Sequence, residues 1–408
     1  MKCRHCNKQL KYSPFLDLGF TPPSNAYLKK HDLNAPEITY PLRLHVCDEC
    51  WLVQTEDFTD AKSLFKADYA YFSSTSVSWL EHAARYCKKM ISEQSLDSKN
   101  LVVEIAANDG YLLKNFVAAD IPCFGIEPAD CTADAAEKIG IPIIRHFFGS
   151  ELARHLVAEN KSADLLIGNN VLAHVPDIND FCLGMKILLR RDGVITLEFP
   201  HVLELLNKIQ FDTIYHEHFS YLSLQVVKRI LDSVGLRVFN VERLPTHGGS
   251  LRIYAGHAEE SRCISSEVGK VLAEEEHFGL QSKDIYADFQ ERVNNIKNEL
   301  LSFLLLQKHA GKTVVAYGAA AKGNTLLNYA GIRKDLLPCV YDAAKSKQGL
   351  FLPGSHIPIF HPEDLCLSIP DYVLILPWNI SDEIINQLDY LREFNTKFIT
   401  AIPSLRIL

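Results

Sequence analysis

No apolar run in the sequence approaches the roughly 18 residues that a membrane-spanning helix needs. Positive charge is not in excess: 42 Lys and Arg stand against 50 Asp and Glu, a formal net charge of -8, which argues against a general nucleic-acid binder. Low-complexity tracts are absent, and 47% hydrophobic with 23% charged residues excludes the disordered class. The opening Met-Lys-Cys-Arg-His-Cys lacks the apolar stretch of a secretory leader, so a cytoplasmic location is expected. Eleven cysteines, an odd count, suit thiols or metal ligands better than a disulfide framework. The 408 residues leave room for two to four domains at roughly 100 to 200 residues each.

Four of those cysteines form two tight pairs, Cys3 with Cys6 and Cys47 with Cys50, while the other seven are scattered. Two intervening residues let a knuckle turn both thiolates onto one tetrahedral ion, and two knuckles complete a closed four-sulfur shell suited to structural zinc. His5, inside the first knuckle, reads as a bystander. The competing reading is two chance pairs left as free thiols.

From residue 101 the pattern changes. Short buried-strand runs at 101–106, 123–127, 164–168 and 194–199 are separated by helical lengths, which predicts a doubly wound, parallel-rich α/β sheet. Residues 259–310 combine Glu, Lys and Gln with Leu, Val and Phe at helical spacing and read as amphipathic helices joining two bodies. A second α/β body opens at 312–324, with strand candidates at 337–341 and 372–376. Two Rossmann-like units suggest two ligands.

At the end of the first of these strands, Glu104, Ala106, Asn108 and Gly110 stand in EIAANDG, where an open α/β sheet binds its ligand. The stretch is not GxGxxG, and the Asn108 amide replaces bare backbone near a pyrophosphate, which favours a ligand without phosphates there. Glu127 ends the next strand, where a carboxylate can accept both ribose hydroxyls of an adenosine and tolerate a cationic sulfonium. Asn169, Asn170 and His174 follow a further strand at the same edge. A purely structural set of turns is the alternative.

Residues 211–221 bring Tyr215, His216, Glu217, His218 and Tyr221 together. Histidine takes a proton near neutral pH, a neighbouring carboxylate can orient its ring, and tyrosine can donate to a developing oxyanion. A second metal site or a hydrogen-bonded core cluster are the bland alternatives. THGGSLR joins glycines to Arg252 and suits close approach to a polar substrate, though it reads equally as a hairpin turn. In the last body, Lys322 and Asn324 lie at a predicted helix start that would receive a diphosphate, and Asp342, Lys345 and Lys347 follow the next strand.

Across nearly the whole chain these motifs, with NNVLAHVPD, YGAAAKGNTLLNY and LPGSHIPI, resemble the S-adenosylmethionine-dependent sugar C-methyltransferases that act on nucleotide-linked 4-keto-deoxysugars in bacterial antibiotic and surface-glycan pathways. The resemblance implies a zinc module over residues 1–70, a cofactor-binding methyltransferase domain over 71–258, and helices with a nucleotide-sugar-binding Rossmann-like domain over 259–408. It implies S-adenosylmethionine and structural zinc as cofactors, with Glu104, Ala106, Asn108, Gly110, Glu127, Asn169 and Asn170 at the methyl donor. His218 becomes the general base, with Tyr215, Glu217, His174 and Tyr71 (Tyr69 being the alternative) lining the sugar. Arg252, Lys322, Asn324, Asp342 and Lys347 become contacts of the nucleotide sugar. The expected reaction is enolisation beside the C-4 ketone of a dTDP- or GDP-linked 4-keto-6-deoxyhexose, then methylation at C-3, with Tyr215 or His174 donating to the enolate oxygen. A monomer without nucleic-acid or membrane partners is expected. Methylation at C-5, sugar epimerisation without methyl transfer, and a zinc-bearing nucleotide-binding regulatory protein are the alternatives.

Overall fold

In the cysteine module, β1 (Leu16–Thr21), β2 (Tyr40–Val46) and β3 (Val53–Thr55) pair antiparallel in that order. Leu16 and Leu18 in β1 and Leu42 and Leu44 in β2 share one buried face, the period of two expected of a half-covered sheet. The free edge of β3 is closed by a two-residue strand from far along the chain, Ser220–Tyr221, with Val53 opposite Tyr221. That pairing fastens the histidine-rich segment to the module. The computed structural model describes residues 1–11, 13–58 and 72–408.

The second sheet carries β4 (Val102–Ile105), β5 (Cys123–Ile126), β6 (Ile143–Ile144), β7 (Ala163–Asn169) and β8 (Leu189–Pro200), all parallel. Counting Ser220–Tyr221 as β9, the hairpin β10 (Leu236–Leu244) and β11 (Ser250–His257) then adds two antiparallel strands, giving the order β10-β11-β8-β7-β4-β5-β6. Every residue of β4 is buried, as expected of a strand covered on both faces. The chain leaves β4 toward β5 and returns on the opposite side as β7, so the carboxyl ends of β4 and β7 flank the topological switch point. Helix Val77–Glu93 starts on Ser76, whose hydroxyl accepts from the Trp79 amide. It buries Ala83, Tyr86, Cys87 and Met90, one stripe at helical spacing.

The third sheet contains β12 (Val314–Tyr317), β13 (Val340–Tyr341), β14 (Ile359–Phe360), β15 (Tyr372–Ile375), β16 (Lys397–Thr400) and β17 (Arg406–Ile407), ordered β14-β13-β12-β15-β16-β17. Only β17 runs antiparallel, and the switch point falls at β12. The expected helices before it are Ser266–Phe278 and Phe289–His309. The second buries Phe289, Val293, Ile296, Leu300 and Leu304 in one apolar core with Leu16 and Leu44 of the cysteine module and Val314 and Leu374 of the last sheet. Leu300 is fully buried there, so Leu300→Ala is a change worth about 2 to 5 kcal/mol. Among the described residues no helix is long and apolar enough to cross a membrane.

Candidate active site

The four N-terminal cysteines converge: their sulfurs lie within 4.8 Å of one another. Cys3 and Cys50 sulfurs are 3.4 Å apart, and those of Cys6 and Cys47 3.6 Å. A tetrahedral zinc with bonds of about 2.3 Å needs sulfurs about 3.8 Å apart, so the set fits. Both knuckles use the same backbone. Asn7 donates to the Cys3 carbonyl and Trp51 to the Cys47 carbonyl, each at 3.0 Å, and both residues adopt positive φ, 59° and 65°. His5 bonds Asn179 at 2.8 Å and stays outside the sulfur shell, as expected.

At the switch point the turn after β4 places Ala106, Asn108 and Gly110 at φ 57°, 50° and 76°. A Cβ on Gly110 would meet Ile141 at 2.9 Å, so glycine is required twice over. Glu127 caps the turn: Oε2 accepts from the Asn108 amide and Oε1 from the Ala129 amide, both at 2.9 Å. The Asn108 and Asp109 side chains in turn accept from Ser73 and Ser74 amides at 3.0 Å.

Four acceptor oxygens at this edge are buried without a partner: Glu104 Oε2, Asp109 Oδ1, Asn169 Oδ1 and Asn170 Oδ1. Burial, aggravated by Asp109 and Glu127, pushes the Glu104 carboxyl well above its ordinary range, and burial raises Glu127 too. An edge rich in unsatisfied acceptors fits a ligand that brings donors and positive charge. S-adenosylmethionine has that character, with its sulfonium, ammonium and ribose hydroxyls. Asn170 is also left-handed, at φ 53°, and its Nδ2 donates to His247 Nε2 at 3.3 Å.

In the YHEH segment the middle pair and the outer pair serve different neighbours. His216 donates to the Pro41 carbonyl at 3.2 Å, and Glu217 Oε1 accepts from the Asn25 amide at 3.3 Å and its Nδ2 at 3.2 Å; both partners belong to the cysteine module. Tyr215 and His218 instead meet each other, with ring centres 4.0 Å apart, and His174 approaches His218 to 4.5 Å. The His218 Nδ1–H donates to the Thr213 carbonyl at 3.0 Å, which leaves Nε2 as the basic nitrogen. Of the two expectations for Glu217, that it orients nearby donors or the imidazole, the second is corrected: a main-chain carbonyl holds the His218 ring, because Glu217 is turned toward Asn25. Burial first, then His174, holds His218 well below an ordinary imidazole pKa.

His174 Nδ1–H donates to the Glu217 carbonyl at 2.7 Å, and burial lowers its pKa to about 4. A neutral ring so fixed presents Nε2 as an acceptor. The expectation that His174 donates to an enolate oxygen is thus corrected by its tautomer. Tyr71 and its alternative Tyr69 lie outside the described residues.

Of the residues expected at the nucleotide sugar, Lys322 reaches this region: its ammonium is among the charges that depress His218. It donates to Asn379 Oδ1 at 2.5 Å and lies 4.8 Å from the Trp378 ring, while Trp378 Nε1 donates to buried Asp212 at 2.7 Å. Burial raises Asp212 to about 6 and lowers Lys322. Arg252 differs from expectation. It sits opposite Glu198 on neighbouring strands, its guanidinium donating to Glu198 at 2.7 Å, because β11 pairs with β8 and buries both side chains. The glycines before it form the hairpin turn between β10 and β11. Asp342 accepts from Ala319 and Ala344 amides at 2.6 and 2.7 Å, Lys347 donates to the Ala319 carbonyl at 2.8 Å, and Asn324 to the Ser24 carbonyl at 2.6 Å. These three shape the turn at the end of β12 and dock it on the cysteine module.

Sequence reasoning missed Asn25, Thr213, Asp212 and Trp378. Asp212 and Thr213 stood within the histidine-rich run itself, whereas nothing local marks Asn25 or Trp378.

Three family profiles cover most of the chain: a zinc binding domain over residues 3–65, a methyltransferase domain over 79–241 and a C-methyltransferase C-terminal domain over 245–403. The chain is 33% identical over 407 residues, 100% of its own length and 96% of its relative's, to the C-methyltransferase NovU of Streptomyces niveus. Solved structures with local similarity include the magnesium protoporphyrin IX methyltransferase ChlM of Synechocystis PCC 6803 with bound SAM, at 15% identity, 44% of this chain, 79% of that chain and a TM-score of 0.34. The PH0226 protein of Pyrococcus horikoshii OT3 matches at 14% identity, 46% of this chain, 95% of that chain and a TM-score of 0.38.

Proposed function

The chain belongs to the S-adenosylmethionine-dependent C-methyltransferases that carry an N-terminal zinc-binding domain, and from that premise we propose that its acceptor is a nucleotide-linked 4-keto-6-deoxysugar, methylated at C-3. The proposed division is a zinc module over 1–70, a methyltransferase domain over 71–258 and a nucleotide-sugar-binding part over 259–408, in a cytoplasmic monomer.

The observation that carries this reading is His218. Its Nδ1–H is committed to the Thr213 carbonyl, so the ring keeps one basic nitrogen against Tyr215 and His174 in a buried setting. A carbon next to a ketone is acidic enough for such a base once the enolate oxygen is held by a donor. General-base assistance contributes roughly 10²- to 10⁴-fold, and one well-placed oxyanion donor about 2.7 to 4 kcal/mol. Among the described residues Tyr215 is the tyrosine nearest His218 and would supply one such donor; Lys322 supplies positive charge on the C-terminal side. Glu104, Ala106, Asn108, Gly110, Glu127, Asn169 and Asn170 would hold S-adenosylmethionine, which supplies an electrophilic methyl group on a sulfonium when bound. The burial of His218 and Tyr221 excludes water from the base.

The test is mass spectrometry of reactions with S-adenosylmethionine and a panel of dTDP- and GDP-linked 4-keto-6-deoxysugars in deuterated water. One added methyl, placed at C-3 by fragmentation, is the expected result. Methylation at C-5 would overturn the position, and deuterium uptake without methylation would replace the transferase by an epimerase on these sugars.

A further inference from the structure

The hairpin turn between β10 and β11 holds three consecutive residues at positive φ: His247 at 53°, Gly248 at 86° and Gly249 at 127°. Two are glycines for a visible reason. A Cβ on Gly248 would meet the Trp378 ring at 2.4 Å and Gln210 at 2.6 Å, and one on Gly249 would meet Glu204 at 2.6 Å. His247 alone in the run carries a side chain in a conformation that suits glycine best.

The turn is over-determined from all sides. Thr246 Oγ1 donates to Glu198 at 2.9 Å, Gln210 Nε2 to the Gly248 carbonyl at 3.0 Å, and the His201 amide to the Gly249 carbonyl at 3.0 Å. Non-glycine residues held in this region cluster where strain serves a site.

The imidazole lies where the walls of the site meet. Its Nε2 accepts from Asn170 at the methyl-donor edge, its ring centre is 5.1 Å from that of Trp79 on helix Val77–Glu93, and the adjoining Gly248 abuts Trp378 beside Asp212 and Lys322. Lys322, Glu198, His82 and His174 are the charged or titratable groups that act on it, and burial with the cationic ones keeps it neutral. With Nε2 accepting, the proton of the neutral ring is on Nδ1. The donor edge already has four unpartnered acceptor oxygens and calls for no further acceptor. On the acceptor side His174 has its Nδ1–H committed to the Glu217 carbonyl, and His247 lies close enough to His218 for its charge to act on that ring.

We propose that His247 is a catalytic residue of the methyl-transfer site, its Nδ1–H donating a hydrogen bond to the acceptor oxygen that turns negative when the neighbouring carbon loses its proton. The assignment rests on the enolising reaction proposed above. No bond forms or breaks at His247: the proton goes from carbon to His218, and the charge left on oxygen is held.

The test uses His247→Gly and His247→Asn in the full chain, since both residues tolerate positive φ. Expected are a Tm at or above wild type for His247→Gly, S-adenosylmethionine affinity unchanged within about threefold, and kcat lower by roughly 10²-fold with little change in acceptor KM, the loss seen when one oxyanion donor is removed. Added imidazole should restore part of the His247→Gly turnover, which a purely structural role would not allow. Turnover of both variants within about threefold of wild type, or a loss that follows a fall in Tm and ignores imidazole, overturns the assignment. A wild-type enzyme that methylates no keto sugar overturns the sugar reading and this role with it, and the wild-type control separates that case from the others.

Discussion

Asn25 and Glu217 stand 192 positions apart and are joined by two hydrogen bonds, 3.3 Å from the Asn25 amide and 3.2 Å from its Nδ2 to the same carboxylate oxygen. The zinc module therefore does more than pack beside the histidine-rich segment. It holds one residue of YHEH directly, holds His216 through the Pro41 carbonyl, and pairs β3 with the strand that follows His218. The folding free energy of the knuckles is thereby linked to the geometry of His218, the proposed base.

Zinc removal should consequently abolish turnover through geometry, with no part of the chemistry passing through the metal. Native protein is expected to hold one zinc per chain on Cys3, Cys6, Cys47 and Cys50. A chelated sample should lose methyl transfer and melt earlier while keeping S-adenosylmethionine affinity within about threefold, because the donor edge belongs to the second sheet. Full activity of zinc-free protein, checked by metal analysis, would break the link. Asn25→Ala, with zinc in place, isolates the contact: losing a hydrogen bond to a buried carboxyl costs about 1 to 3 kcal/mol.

With His218 as the proposed base, its protonation sets the pH behaviour of catalysis. Its folded pKa lies well below the ordinary imidazole value because it is buried beside His174 and within the field of His247 and Lys322, so it stays neutral and competent as a base well into mild acid. The profile of kcat/KM for the acceptor should show no acid limb near pH 6.5. His218→Asn should lower turnover by roughly 10²- to 10⁴-fold and leave donor binding intact. An acid limb at 6.5 that disappears in His218→Asn would contradict the buried assignment.

Much of this was legible in the sequence wherever the signal is local. Runs such as VVEI and DLLIG announce parallel strands because both faces are buried, and Cys-x-x-Cys announces a knuckle because two residues suffice to turn it. The strand Ser220–Tyr221 was illegible because its reason for being extended is β3, more than 160 positions earlier. Direction was equally hidden. Arg252 follows two glycines and reads as a substrate contact, but only the pairing of β11 with β8 reveals Glu198 opposite it. Likewise the order Tyr215, His216, Glu217, His218 does not disclose that the middle pair faces the zinc module and the outer pair each other.

Arg252 gives a sharp test of that difference. Glu198 is fully buried and is held by Arg252, by His82 at 2.9 Å and by Thr246 at 2.9 Å. Removing one partner of a buried pair leaves the other charge uncompensated, at about 3 to 5 kcal/mol. Arg252→Met should therefore melt well below wild type, while whatever remains folded keeps its acceptor KM within about threefold. A stable variant with a sharply raised acceptor KM would return Arg252 to the substrate.

His174 makes a prediction about acid stability whose sign can be worked out. Its folded pKa is about 4 against an ordinary 6.5. Above pH 6.5 both folded and unfolded chains carry a neutral ring, and the group adds no pH dependence. Between pH 6.5 and 4 the unfolded chain binds a proton that the folded chain refuses, so stability falls with falling pH by about 1.4 kcal/mol per unit at most, toward about 3 kcal/mol, less what screening at its partly exposed edge removes. Glu104, Glu217 and Asp212, all raised by burial, act in the opposite sense but are common to both proteins in a comparison. Denaturant unfolding of His174→Gln and wild type at pH 7 and pH 4.5 should thus shift in the variant's favour by about 2 kcal/mol on acidification. A difference between the two that does not change with pH would mean that His174 is not held neutral by burial, and its Nε2 would again be available as a donor.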